Sequence, residues 1–260
     1  ENFLKAARYF DPSLERVEMP FKGRAGEGTA AIGLLRKPKG ASKAPVVLLW
    51  GGIDAFKEER PTDRYLSAGM ATLSIDMPGV ADAPIAGSEN GERLWDGVFD
   101  FIANRADLDA GRIGMHGGST GGYWATKVAH THAHRLRAVV NQGGPAHFAF
   151  QKDWIVKAQR GEYPFELAET LACAFGRSSA EEWIDYAPKL SLLNQGVLDK
   201  PCAPLLCVNG IQDSVFPIAD MHLLLEHGNP KAARFYAGGH MGGGDSQSVI
   251  VQWLKQQLLA

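Results

Sequence analysis

The chain has few cysteines and no long apolar run, and both features narrow the class of protein. Its three cysteines, Cys173, Cys202 and Cys207, lack the spacing of a metal site, so they indicate reduced core thiols in a cytoplasmic protein. No segment approaches the roughly 18 apolar residues of a membrane-spanning helix, and the start does not resemble a signal peptide. The chain opens on Glu1, in what has the pattern of the end of an amphipathic helix, which is compatible with a longer parent chain.

An excess of charge of either sign is also missing. The 27 basic and 29 acidic residues give a formal net charge of -2, so neither a nucleic acid nor an anionic membrane is expected as a partner. The sequence contains no internal repeat, low-complexity tract or linker that separates domains. With 45% hydrophobic residues, the chain can bury the core of a globular domain.

Short β-type runs alternate with helical patterns along most of the chain. Such alternation implies parallel strands joined by right-handed crossovers, with helices on both faces of the sheet. A glycine-rich turn between the first two runs indicates an antiparallel hairpin. The sequence therefore predicts an α/β fold with a mostly parallel, eight-stranded sheet. The predicted strands cover residues 15–21, 30–38, 46–50, 70–76, 112–117, 137–144, 204–210 and 233–240, and the clearest helical patterns cover residues 89–106, 120–133 and 246–259.

Residues 149–203 interrupt this alternation, because they contain helical patterns without an intervening strand. An insertion of this length at the C-terminal end of a strand is well placed to cover a site there. We therefore expect a core of residues 1–148 and 204–260 with a helical cap of residues 149–203.

Five glycines surround one serine in the stretch GMHGGSTGGYW, residues 114–124. Gly117 to Gly121 fit the pattern G-x-S-x-G between a predicted strand and a predicted helix. In a nucleophile elbow the serine lies in a strained strand-to-helix turn, and the residues two positions away on either side must be small. This context predicts that Ser119 is a nucleophile and that the N–H of Thr120 points at the reacting oxygen.

Two other interpretations of this turn stay open at this point. Ser119 or Thr120 could serve only as a helix cap, and a glycine-rich loop can also cradle a phosphate. The phosphate interpretation is disfavoured because no Walker lysine follows and no G-x-G-x-x-G pattern opens the helix.

A serine nucleophile needs a base and a residue that orients the base, and in such a fold they follow in the order serine, acid, histidine. Asp213 comes shortly after a predicted strand, and His240 lies in a loop after the last strand. This order predicts a catalytic triad of Ser119, Asp213 and His240. Taken singly, Asp213 could be a helix N-cap and His240 an ordinary loop residue.

The loop after the third strand usually supplies the second donor of an oxyanion hole. Here it begins with Gly51 and Gly52, which permit a close approach of the backbone. We expect the N–H of Gly52 or Ile53 to act together with that of Thr120. A tight turn without a catalytic role is the alternative.

No metal or cofactor is expected. His130 and His134 could lie on one helical face, as metal ligands do. No glutamate follows them in the pattern of a zinc protease, so a solvated helix end is favoured.

Several stretches together resemble an α/β-hydrolase: DPSLERVEMPF, GGIDAFKEE, GGSTGGY, PLLCVNGIQDSVFP and GGHMG. Within that superfamily the chain is similar to the branch that holds the fermentation–respiration switch protein family, 2,6-dihydroxypseudooxynicotine hydrolase and the fungal hydrolases that shorten heptaketide pigment precursors. The resemblance spans most of the chain and implies that Ser119, Asp213 and His240 are the triad. Some relatives also carry a functional acid in the GG-φ-[DE] loop, which falls here on Asp54.

Relatives in this branch hydrolyse carbon–carbon bonds next to a ketone, or carboxylic esters. The resemblance therefore implies a cofactor-independent serine hydrolase that forms an acyl-enzyme from a β-diketone, acyl-aromatic or polyketide-like substrate. A carboxylesterase acting on small or aryl esters is the alternative within the same chemistry. An acyltransferase and a non-catalytic binding protein are alternatives of another class, and a homodimer is compatible with the resemblance. Asp54 could instead cap the next helix or pair with Lys57 or Arg60.

Overall fold

A computed structural model of the chain describes residues 2–228 and 231–260. Within them, eight strands form one sheet in the order β1-β2-β4-β3-β5-β6-β7-β8. The β1–β2 and β2–β4 pairs are antiparallel and the other neighbours are parallel, as the sequence predicts. The strands are β1 (Leu14–Pro20), β2 (Ala30–Arg36), β3 (Ala44–Trp50), β4 (Ala71–Ile75), β5 (Leu108–Gly118), β6 (Ala138–Gln142), β7 (Leu205–Gly210) and β8 (Lys231–Tyr236).

Helices cover both faces of this sheet, and the central strand β3 shows why. Its residues are all buried, and alternate side chains join two separate apolar clusters: Val46 and Leu48 on one face, Val47 and Leu49 on the other. In the described residues, none of the helices is long and apolar enough to cross a bilayer. The helices are α1 (Asn2–Ala7), α2 (Asp63–Ser67), α3 (Leu94–Ala103), α4 (Thr120–Thr131), α5 (Lys152–Ala158), α6 (Leu167–Ala174), α7 (Ala180–Tyr186), α8 (Ile218–Glu226) and α9 (Ser246–Leu259).

The segment of residues 149–203, called the cap here, contains the helices α5, α6 and α7. Aromatic rings attach it to α4: the ring centroids of Phe150 and Tyr123 are 5.3 Å apart, and those of Phe175 and Trp124 are 6.2 Å apart. Such rings contribute a large apolar area when they are buried. The helical character of the cap agrees with the sequence pattern, and its status as a separate unit stays a prediction.

A buried carboxylate holds the junction between β6 and the cap. Asp220 on α8 accepts hydrogen bonds from four successive backbone N–H groups, those of residues 146–149, at 2.7 to 3.2 Å. Burial raises the pKa of Asp220, and the four N–H groups oppose that rise because they stabilise the charged form. The cap therefore leaves the core at a point that is fixed by hydrogen bonds.

Candidate active site

Ser119 lies in the turn between β5 and α4 with φ 53° and ψ -133°, a conformation that is rare and strained for a residue other than glycine. The flanking glycines are explained by close contacts. A Cβ atom on Gly117 would lie 2.2 Å from the carbonyl oxygen of Gly121, and one on Gly121 would lie 2.2 Å from that of Gly51. The Trp50 indole N–H also donates to the Gly121 carbonyl, at 2.7 Å. A larger residue at either glycine would prevent this turn from closing.

The structure brings Ser119, His240 and Asp213 together in a hydrogen-bonded chain. His240 Nε2 lies 2.8 Å from Ser119 Oγ, and His240 Nδ1 lies 2.8 Å from Asp213 Oδ2. Because an ionised carboxylate only accepts, Nδ1 carries the proton and Nε2 is left to accept from the serine hydroxyl. This is the arrangement that activates a serine, and the catalytic role of the three residues stays a prediction at this point.

Asp213 is not the N-cap of the following helix, because α8 begins only at Ile218. Its carboxylate is buried, and it also accepts the N–H groups of Val215 and Phe216, at 2.8 and 3.0 Å. The Asn209 amide donates a further hydrogen bond to it, at 2.8 Å. These contacts fix the carboxylate toward His240.

Asn209, at the end of β7, connects the loop of Asp213 with the loop of His240. Its Nδ2 donates to Asp213, whereas its Oδ1 accepts the N–H of Met241, at 2.9 Å. The sequence analysis did not identify Asn209. A polar residue near the C-terminal end of a fully buried strand is the signal that could have found it.

A second polar layer lies beneath the first and is centred on Gln142, the last residue of β6. Its carbonyl accepts the Ser119 N–H at 2.8 Å, and its side-chain amide donates to the Met241 carbonyl at 2.9 Å. The buried His116 ring is held between Gln142 Oε1, at 2.8 Å, and the Tyr65 hydroxyl, at 2.7 Å. This layer supports both Ser119 and the loop of His240, and the sequence analysis missed it.

His116 should make stability depend on pH. Burial lowers its pKa to about 4, with a smaller contribution from Arg60, whereas the Gln142 contact opposes the shift. In the unfolded chain this histidine has its ordinary pKa near 6.5. As the pH falls from about 6.5 to about 4, it therefore binds a proton in the unfolded chain but stays neutral in the folded chain. The free energy of unfolding should fall by about 3 kcal/mol over that window because of this one group.

Urea unfolding at several pH values measures this effect. His116→Gln should reduce the slope of the free energy of unfolding against pH between about pH 6.5 and 4, by an amount equivalent to the uptake of up to one proton. His134→Gln, at an exposed position, should leave this slope unchanged. An unchanged slope in the His116 variant would show that the ring is already protonated in the folded state.

The loop after β3 lies directly against the nucleophile. A Cβ atom on Gly52 would be 2.8 Å from Ser119 Cβ and 3.1 Å from Ser119 Oγ. Thr120, buried at the start of α4, is the next residue after the serine, and Ile53 follows Gly52. The backbone groups expected to form the oxyanion hole are thus beside Ser119, and their role as donors stays a prediction.

Lys57 anchors the same loop from below. Its ammonium group lies 2.7 Å from Asp76 and 2.7 Å from Asp82, and its N–H donates to Asp76 Oδ1 at 2.9 Å. Burial lowers the pKa of Lys57, but the two carboxylates more than compensate and hold it above its ordinary value. The positive charge of Lys57 is therefore paired within the protein, with Asp76 and Asp82.

Asp54 is exposed and lies near the nucleophile. The Cβ position on Gly52 that is 3.1 Å from Ser119 Oγ is also 3.6 Å from Asp54 Oδ1. No direct contact supports the alternative roles of Asp54, although its charge acts on Arg60 at longer range. The next short helix has Phe56 as its N-cap, and in the described ranges no ion pair within 4.0 Å joins Asp54 to Lys57 or Arg60.

Tyr163 reaches this region from the cap. Its hydroxyl oxygen is buried and lies close to the side chains of Thr170 and Asp54, but no hydrogen bond of standard geometry joins it to the described residues. Burial and the neighbouring Asp54 carboxylate raise the pKa of Tyr163 to about 12. The sequence analysis gave Tyr163 no role.

The prediction of a solvated helix end was wrong for His130. The ring is buried, and its Nδ1 lies 3.0 Å from the Lys200 carbonyl oxygen, because the end of the cap covers this part of α4. His134 lies beyond α4, which ends at Thr131. The described residues hold no group of three or more side chains suited to a metal ion.

A model of the esterase FrsA-like family matches residues 1–257. The chain belongs to this family. Esterase FrsA of Escherichia coli (strain K12 / DH10B) is 27% identical over 229 residues, which are 85% of this chain and 53% of the relative. The FrsA-like chain thus spans about half the length of the curated relatives it matches.

Two solved structures share the fold of this FrsA-like chain. The crystal structure of 2,6-dihydroxy-pseudo-oxynicotine hydrolase has a TM-score of 0.84 at 24% identity, over 99% of this chain and 71% of that chain. AbyA5 has a TM-score of 0.79 at 23% identity, over 98% and 73%. The predicted α/β-hydrolase fold and branch are therefore confirmed. At such identities the likeness shows the fold, and the chemistry has to be argued from the site.

Proposed function

We propose that the chain is a serine hydrolase that forms an acyl-enzyme on Ser119. The observation that carries this assignment is the pair of 2.8 Å hydrogen bonds that join Ser119 to His240 and His240 to Asp213. Family membership supports it, because the matching family is one of esterases. The proposed partner is a small molecule with a reactive carbonyl group.

In the proposed reaction, His240 Nε2 takes the proton of Ser119 as Oγ attacks the carbonyl carbon. Asp213 keeps the proton of the ring on Nδ1 and stabilises the imidazolium that forms. The oxyanion of the tetrahedral intermediate accepts from the N–H of Thr120 and from that of Gly52 or Ile53. One such donor contributes about 3–4 kcal/mol to the transition state.

The intermediate then collapses as the bond to the leaving group breaks. His240 gives its proton to that group. A water molecule, deprotonated by the same ring, then attacks the acyl carbon, and the ring returns the proton to Ser119 Oγ as the acyl–Oγ bond breaks and the free acid is released. An ester needs no further help, because His240 protonates the leaving oxygen as it departs. Each proton transfer in this reaction takes place between His240 and Ser119, the leaving group or water.

An organophosphonate and a series of aryl esters test the assignment. The proposal expects release of free acid from the esters and, by mass spectrometry, a phosphonate on the peptide that contains Ser119. A label elsewhere, or ester binding without turnover and without a label, would overturn it and favour a binding protein. A product on an added alcohol in place of free acid would identify an acyltransferase.

Hydrolysis of a carbon–carbon bond next to a ketone is the second candidate function. Asp54 and Tyr163 favour it, because the Asp54 carboxylate lies near Ser119 and the buried Tyr163 hydroxyl lies beside that carboxylate. A carbon leaving group departs only as a stabilised enol or phenol, and such a group has to be positioned by hydrogen bonds. The expected substrates are β-diketones, acyl-phenols and polyketide-like compounds.

Asp54→Asn should separate the two chemistries. Cleavage of a β-diketone should slow by about 10²-fold, the scale of one acid–base or positioning group, whereas hydrolysis of an activated aryl ester should fall by less than about tenfold. The measurement is kcat/KM on both substrates, with Asp153→Asn on the exposed face of α5 as control. Equal small losses on both, together with a lower melting temperature, would assign Asp54 a structural role.

A further inference from the structure

A side chain of the cap reaches the candidate triad from the outside. Glu162, between α5 and α6, accepts the backbone N–H of His240 on Oε2 at 3.0 Å. Its Oε1 accepts the N–H and the hydroxyl of Ser214, each at 3.0 Å, and its own N–H donates to Ser214 Oγ at 2.9 Å. Ser214 is the residue after Asp213. One carboxylate therefore joins the cap to the loops that carry the acid and the base.

Two glycines show that these segments are in direct contact. A Cβ atom on Gly239 would lie 2.2 Å from Glu162 Oε2, and one on Gly161 would lie 2.6 Å from the Ser214 carbonyl oxygen. Position 161 requires glycine because backbone oxygen atoms occupy the space of a side chain, and a side chain at position 239 would displace the Glu162 carboxylate. Although Glu162 is exposed, its carboxylate is held at both oxygens by two separate loops.

The charge of Glu162 acts on the His240 ring. Burial raises the pKa of Glu162, but the hydrogen bonds from Ser214 and His240 and the charge of the His240 ring outweigh it and hold the pKa below its usual range. The ionised glutamate and an imidazolium at His240 attract each other. The groups that face His240 are the Asp213 carboxylate, the Ser119 hydroxyl and the Phe216 ring, 5.7 Å away between centroids, and Glu162 adds a second negative charge.

We propose that Glu162 is a positioning residue for this site, an inference that rests on the function proposed above. It holds the main chain of His240 and of the Asp213 loop in register, and it stabilises the imidazolium that forms in each proton transfer. The consequence is that the base is fully aligned only while the cap is seated on the core. Glu162 touches neither the substrate nor the reacting atoms, so its effect is exerted through His240.

Steady-state kinetics of Glu162→Gln on an aryl ester test this role, with Glu169→Gln, an exposed acid on α6, as the matched control. The kcat should fall about tenfold while KM changes by less than about threefold, because the lost contact affects the transition state. The rising limb of kcat/KM against pH should move to lower pH by about 0.5 unit, since a negative charge near the imidazolium is removed.

Glu162→Asp tests the effect of side-chain length separately from that of the negative charge. The shorter side chain keeps the negative charge, so the pH profile should stay near that of the wild type, but it cannot span both loops, so kcat should fall. If the Gln variant fails to fold, Ser214→Ala replaces it, with an expected loss of about threefold in kcat from the one hydroxyl removed. A Gln variant, or its replacement, with wild-type kcat and pH profile would overturn the role of Glu162.

A direct titration of the His240 ring by NMR keeps this inference distinct from the proposed function. Glu162→Gln should move the midpoint of that titration to lower pH whether or not the protein turns over the ester. If wild type shows neither hydrolysis nor a label on Ser119, the proposed function fails. If wild type is active and the ring titration is the same in both proteins, the function stands and the role of Glu162 fails.

Discussion

Replacing Ser119 with alanine should lower kcat on an aryl ester by about 10⁵- to 10⁶-fold. The change removes the attacking oxygen and leaves only binding and the oxyanion donors, and members of a triad act as a unit, so one deletion costs nearly as much as all three. Folding should survive, since alanine at φ 53° carries the same backbone strain as serine.

The measurement is single-turnover kinetics with enough enzyme to detect a rate near that of the uncatalysed reaction. Ser67→Ala, an exposed serine at the end of α2, serves as control for handling and folding. Retention of more than about a tenth of wild-type turnover would rule out Ser119 as the nucleophile.

Asp213→Asn should lower kcat by about 10⁴-fold. An asparagine can offer its amide N–H to His240, so Nδ1 has to accept and the proton moves to Nε2, where it opposes the serine hydroxyl. The new amide N–H group would also face the Nδ2 group of Asn209, so that two hydrogen-bond donors oppose each other. Rotation of the Asn209 amide does not relieve this, because its Oδ1 would then lose the hydrogen bond from the Met241 N–H. We therefore also expect a lower melting temperature.

The activity and the stability effects of Asp213→Asn have to be measured on the same preparation, well below the melting temperature. Asp199→Asn, an exposed acid outside the site, gives the baseline for loss of one charge. A decrease in kcat of less than about tenfold would mean that the His240 tautomer is set by another group, and the triad would then lack its third member.

The parts of the site that could be predicted from the sequence are those determined by short sequence patterns and by positions at the ends of strands. The elbow around Ser119 has a spacing that follows from the close contacts of Gly117 and Gly121. Asp213 and His240 were predicted because residues at the ends of parallel strands meet at one edge of the sheet. Boundaries were less accurate: the last strand ends at Tyr236 rather than at His240.

The remaining parts depend on contacts between distant segments. Glu162 lies 78 positions from His240 along the chain, and Gln142 lies 99 positions from Met241. Neither residue belongs to a periodic pattern, and an isolated glutamate in a cap is usually a solvated one. Their partners are set by how the cap and the loops pack, which no local spacing encodes.

The four N–H groups held by Asp220 bear on how such enzymes could be recombined. The acceptor belongs to α8, so a chimera that replaces residues 150–203 with the corresponding piece of another hydrolase keeps the anchoring carboxylate, and the backbone donors are independent of side-chain identity. Substrate range could then diverge by exchange of this module while Ser119, His240 and Asp213 keep their places. The requirement on the incoming piece is a carboxylate where Glu162 now stands.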